Sequence, residues 1–108
     1  MSINTTTKLM DTILKVKVQN MPSARLPMKR VPNQFIITTE NGRYFQSYES
    51  VIAFIGSTGD DGHRTILDET YWDYSTTTGK YRNQFLGETK AETEAKIKSG
   101  EYTLANLN

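Results

Sequence analysis

Two groups of side chains have the types and spacing to support catalysis. Asp68 and Glu69 are adjacent, with Asp73 a turn beyond, and a pair of carboxylates is the minimum equipment of a two-acid hydrolase. Asp73 also stands just ahead of Ser75, where a negative charge suits the amino end of a helix. That use competes for the same carboxylate. His63 is the only histidine and follows Asp60-Asp61-Gly62. Imidazole chemistry there needs partners from distant segments, and this Gly-Asp-rich run is ordinary turn composition. It is also too short for the alternating oxygen ligands and terminal glutamate of an EF-hand loop. Neither a phosphate-cradling glycine pattern nor a Gly-x-Ser-x-Gly elbow occurs. The expectation is a chain that is not an enzyme and needs no metal or cofactor.

The remaining candidates point to binding. Arg25, Lys29 and Arg30 lie among Pro22, Pro27 and Pro32, and prolines this close oppose helix or central strand. Residues 20–33 therefore read as a basic, proline-rich loop. Residues 1–34 hold Lys8, Lys15, Lys17, Arg25, Lys29 and Arg30 against Asp11, a net +5, while the other seven cations and eleven acids leave the remainder at −4. Such a split suits a basic arm for nucleic acid or an arm lying over its own acidic body. Lys80-Tyr81-Arg82-Asn83-Gln84 sets cationic and amide groups opposite Tyr74, Thr78 and Phe85 on a helix, as a DNA-reading or merely solvated face would. The rings of Tyr44, Phe45, Tyr48, Tyr71, Trp72, Tyr74, Tyr81 and Phe85 serve either as a core or, beside Arg43, Lys80 and Arg82, as a platform for unpaired bases. The side chains expected at a partner are Arg25, Lys29, Arg30, Trp72, Lys80 and Arg82.

The elements that must position these groups follow from period and punctuation. Leu14, Val16 and Val18 alternate with Lys15, Lys17 and Gln19, the pattern of an edge strand with lysines toward water. Phe35–Glu40 and Arg43–Tyr48 flank Asn41-Gly42, which suits a two-residue hairpin turn with positive φ. That turn opposes Glu40 to Arg43, Thr38 to Phe45 and Ile36 to Ser47, and apolar groups fall on both faces. Val51–Ile55 is a continuous apolar strand, and after the turn at residues 56–62 the chain returns through Arg64–Leu67. Ser75 reads as a helix N-cap, with Tyr74, Thr78, Tyr81 and Phe85 along one face and Gly87 at the end. Thr89-Lys90-Ala91-Glu92 matches a capping box, and Gly100 closes that second helix. A last strand lies near Tyr102–Leu104.

The predicted architecture is α+β: an antiparallel β-meander of about four to five strands with two short C-terminal helices and a terminal strand. At 108 residues the chain suits one domain, residues 1–108, with residues 1–12 flexible. Apolar residues make up 36% and aromatic residues 10%, so the core must lean on its rings. The chain has no cysteine, which removes disulfides, thiolate zinc sites and a cysteine nucleophile and permits a reducing compartment. No apolar run approaches the roughly 18 residues of a membrane span, and no secretory pattern opens the sequence, so no membrane association is expected. Exposed strand edges invite pairing, which makes a homodimer one expected assembly.

The ordered series Ser47-Tyr48, Ile52-Ala53, Leu67-Asp68, Tyr71-Trp72-Asp73-Tyr74-Ser75, Thr77-Thr78, Lys80-Tyr81-Arg82 and Phe85-Leu86-Gly87 resembles a family of small uncharacterised proteins encoded by bacteriophages. The resemblance spans residues 30–108. It implies phage origin, a shared fold and a place in the host cytoplasm, and it carries no agreed activity. Joined to the residues above, it predicts a non-catalytic phage accessory protein that binds a host or phage macromolecule and inhibits a host defence system. The alternative is a small nucleic-acid-binding module that uses the basic loop and the aromatic and basic helix face.

Overall fold

The computed structural model describes residues 16–57 and 62–108. Strands β1 (Lys17–Pro22), β2 (Arg30–Thr39), β3 (Gly42–Ser47), β4 (Ser50–Ser57) and β5 (His63–Asp68) follow one another across a single sheet. Helices α1 (Thr76–Leu86) and α2 (Lys90–Ser99) then lead to β6 (Tyr102–Ala105) beside β5. The first five strands pair antiparallel and β6 pairs parallel to β5. A parallel pair cannot be closed by a tight turn, so both helices lie in the crossover. The fold is the expected α+β, with six strands, slightly more than predicted.

The helix ends follow the side-chain chemistry beside them. Ser75 Oγ accepts the Thr78 amide at 3.1 Å. Thr89 Oγ1 accepts the Glu92 amide while Glu92 returns a carboxylate to the Thr89 amide, completing the capping box. Gly87 and Gly100 take left-handed φ at the two carboxyl ends, which a glycine does without steric cost.

Both helices cover the same side of the sheet. Phe45, Ala53 and Leu67 share that face through their register and pack with Met21, Ile52, Phe85 and Tyr102 into the core. Phe45 and Phe85 stack at 5.8 Å, and the Ser47 and Thr78 hydroxyls meet at 2.9 Å, tying α1 to β3. On the other face lie Val18, Ile37, Tyr44, Phe54 and Ile66, with Tyr44 and Phe54 in ring contact at 4.7 Å. The valine side of the edge strand therefore looks away from the helices, with Val18 exposed. Leu14 and Lys15, the start of the predicted strand, and residues 1–12 lie outside the described residues.

Two local expectations are corrected. The first hairpin turns on Glu40-Asn41, with Thr39 opposite Gly42, so the pairing slides two residues from the predicted one and Ile36 faces Phe45. A two-residue slide keeps every side chain on its predicted face. The reason is long-range. Gly42 sits opposite Gly56 of β4, where a Cβ would fall 2.3 Å from the Ile55 carbonyl oxygen. Glycine is spent on that approach, and the Thr39 hydroxyl holds the turn by accepting the Asn41 amide at 3.2 Å.

The basic loop is also shorter than predicted, because Pro22 ends β1 and Pro32 lies within β2. The β1–β2 ladder is irregular between Asn20 and Pro22, and β2 meets β3 only from Gln34 onward. Pro32 therefore owes no amide to either neighbour. Asn20 Nδ2 bridges the gap by donating to the Val31 carbonyl at 2.9 Å.

Candidate binding surface

The segment between β5 and α1 is built on the Asp68 carboxylate, which is 1% exposed. Its Oδ2 accepts the Thr70 and Tyr71 amides at 3.0 and 2.8 Å, and its Oδ1 accepts the Leu107 amide at 2.8 Å. Burial opposes ionisation of Asp68, but these bonds and one from Asn108 outweigh it and hold the pKa below the ordinary carboxylate value. The resulting turn throws Tyr71 outward and brings Trp72 back over α1, with the Trp72 amide bonded to the Asp68 carbonyl at 3.1 Å.

Arg82 fills the space beneath Trp72. Its guanidinium is 5.2 Å from the indole ring, and Nη1 donates to the Trp72 carbonyl at 2.7 Å and to Asp73 Oδ1 at 3.1 Å. Nη2 donates to Asn83 Oδ1 at 3.0 Å. Lys90 of α2 pairs with the other Asp73 oxygen at 2.8 Å. Burial again works against the charge of Asp73, and Lys90 and Arg82 overcome it, lowering its pKa. Asp73 thus spends both oxygens linking two helices and does not cap α1.

Tyr74 stands at the surface, edge-on to Tyr71 at 5.6 Å, and both rings are exposed. It forms a shared wall between two depressions. One, about 630 Å³, lies at the amino end of α1 beside Asp73, Gly79, Lys80 and Lys90. The other, about 540 Å³, runs along the end of the sheet and is lined by Asn33, Phe35, Tyr48, Glu49, Ser50 and Tyr74.

The residues singled out for partner contact divide between surface and interior. Arg25, Lys29 and Arg30 are exposed on a loop ordered by the Ser23 amide to the Lys29 carbonyl and the Lys29 amide to the Leu26 carbonyl, both 2.8 Å. Lys80 is exposed on α1. Gln84, one turn further along the same helix face, donates to the Pro22 carbonyl at 2.7 Å, so Lys80 and the basic loop share one side of the molecule. Trp72 is half-buried, and Arg82 is 1% exposed. The expected solvated helix face is therefore interrupted by an internal cation.

Of the chemically suggestive residues, Glu69 and His63 are exposed at the two ends of β5. Asp60 and Asp61 lie outside the described residues. Among the described residues no three His, Cys, Asp or Glu side chains gather as a metal site, and no helix is long and apolar enough to cross a membrane.

Residues 16–101 match the model of a family of unknown function, DUF8033. The chain belongs to that family. No curated protein and no solved structure matches it. The DUF8033 match takes in β1 and the basic loop, which the sequence resemblance had placed outside.

Two features of this DUF8033 chain had no sequence signal. Tyr48-Glu49 forms the two-residue turn between β3 and β4, although neither residue is a turn former, and Tyr48 takes φ 55°. Asn33 takes φ 64° inside β2 and accepts the Tyr48 amide on its carbonyl at 2.7 Å. The predicted ring platform is dispersed: Phe45 and Phe85 enter the core, Tyr44 joins Phe54 on the open face, and Tyr48, Tyr71 and Tyr74 reach solvent.

Proposed function

We propose that the chain is a non-catalytic accessory protein of phage origin that docks on a partner protein through the β1–β2 loop. One observation carries the reading. In a loop closed by three hydrogen bonds, Met28 is 97% exposed and Leu26 54% exposed between exposed Arg25, Lys29 and Arg30. Ordered apolar side chains held in water gain by burial against another surface, and the flanking cations select an acidic one. The phage resemblance supports an origin in the infected cell, where blocking a host defence protein is the role in view.

The test is affinity capture from infected host cells with and without nuclease, using the native chain beside Met28→Asp and an Arg25→Ala, Lys29→Ala, Arg30→Ala triple variant. The reading expects a protein that survives nuclease and is lost with either variant. Equal recovery by all three chains refutes it.

A second reading, binding to nucleic acid, is favoured by the shared side of Lys80 and the basic loop. It expects a mobility shift with short DNA or RNA that weakens as salt rises, through release of counterions from the phosphates. Absence of any shift at low salt removes it.

A further inference from the structure

The groove of about 540 Å³ at the end of the sheet is lined by Phe35, Tyr48 and Tyr74, with Glu49, Asn33 and Ser50 between them. Tyr48 and Tyr74 are 47% and 48% exposed. Phe35 and Tyr48 make no ring contact with another aromatic side chain among the described residues, and Glu49 forms no ion pair or hydrogen bond there. Three ring surfaces and one uncompensated carboxylate therefore border a single depression.

Backbone strain is concentrated at the same place. Among the described residues, only Asn33 and Tyr48 combine a side chain with positive φ, and both line this groove. Positive φ at the first position of a two-residue hairpin turn is the normal province of glycine, asparagine and aspartate, and a bulky side chain there is uncommon. The turn itself gains nothing from a phenol ring. Asn33 braces it by accepting the Tyr48 amide, and Gln46 Nε2 donates to the Tyr48 carbonyl at 2.7 Å. The chain thus holds Tyr48 at a strained position whose visible product is a ring on the groove wall, a pattern that marks binding sites.

We infer that this groove binds a cationic side chain, arginine or lysine, of a partner polypeptide, with the cation against the Tyr48, Tyr74 and Phe35 rings and its charge paired with Glu49. Ring faces carry negative potential and attract guanidinium and ammonium groups, and the carboxylate adds a charge-assisted hydrogen bond. The site is separate from the basic loop of the proposed function. One surface offers cations and the other receives one.

The test titrates the intact ¹⁵N-labelled chain with blocked Gly-Arg-Gly and Gly-Lys-Gly peptides, using the citrulline peptide as an uncharged isostere of arginine. The expected result is saturable amide shifts at residues 33–35, 48–50 and 74, with the citrulline peptide weaker by about fivefold or more, the usual scale of an exposed cation–ring contact joined to an ion pair. Glu49→Gln alters only an exposed side chain and should weaken the arginine peptide while leaving the fold intact. Tyr48→Gly relieves the positive φ, so it should melt no lower than the native chain yet lose the shifts. Equal affinity for citrulline, shifts confined to other residues, or no shift in the millimolar range each overturns the proposal. Pull-down of a partner through the β1–β2 loop would be unaffected by either outcome, so the two readings fail separately.

Discussion

Replacing Asp68 with alanine should remove the anchor of the segment that carries Tyr71, Trp72 and Tyr74. The carboxylate accepts three backbone amides, from Thr70, Tyr71 and Leu107. Leaving a buried donor without its acceptor costs about 1–3 kcal/mol. Thr70 and Tyr71 are exposed residues, so water repairs part of their loss and the lower end applies to them. The sum is about 3 kcal/mol, a fall in melting temperature of about 12–20 °C for a domain this size.

Asp68→Asn separates charge from hydrogen bonding. Its one carbonyl oxygen serves either the Thr70 and Tyr71 pair or Leu107, while its amide group meets the remaining donor, so an intermediate loss is expected. The pH dependence gives a second check. The folded pKa of Asp68 lies below its ordinary value of 3.8, so its contribution is present in full above the unfolded pKa and fades as pH falls through the folded one. Urea unfolding of native and Asp68→Ala chains should therefore show a gap at neutral pH that narrows toward pH 3 and below. A gap within about 0.5 kcal/mol at neutral pH, the range of an ordinary surface substitution, or one that does not change with pH, refutes the assignment.

Three further outcomes follow from the geometry. Gly42→Ala places a Cβ 2.3 Å from the Ile55 carbonyl oxygen, so the hairpin must part from β4, and urea unfolding should show a loss above about 3 kcal/mol, the scale of overpacking joined to strain. Gly79→Ala should raise the melting temperature, because a helical glycine costs about 0.5–1 kcal/mol against alanine and the new methyl meets Arg82 no closer than 3.6 Å. Tyr102 donates its hydroxyl to Glu88, and burial with this bond pushes its pKa up to about 12. Ultraviolet titration should show a late-titrating component in the native chain that is absent in Tyr102→Phe. The stability from this pairing is present below the unfolded tyrosine pKa of about 10 and lost as pH rises through the folded value.

What the sequence determined by itself was the chemistry that acts within a few residues. Ser75, Thr89 and Glu92 satisfy amides three positions away, and Gly87 and Gly100 end helices by their own φ. In the first hairpin the period of two likewise keeps Ile36, Phe45 and Ser47 on their predicted common face, because the pairing slid by an even number of residues. Tertiary structure decided the rest, through partners distant in sequence. Gly42 was committed to Gly56 across the sheet, so the turn moved to Glu40-Asn41. Pro32 entered a strand because neither neighbouring strand asks it for an amide there. Arg82 reads as a surface cation, yet the Trp72 carbonyl, Asp73 and the indole ring supply what water would have given its guanidinium. Tyr48 carries no turn signal. The Asn33 carbonyl that accepts its amide belongs to another strand, and no local pattern records that contact. The Tyr71–Ser75 segment therefore announced itself in the sequence, while the groove beside Tyr74 exists only because the fold brings β2, the β3–β4 turn and that segment together.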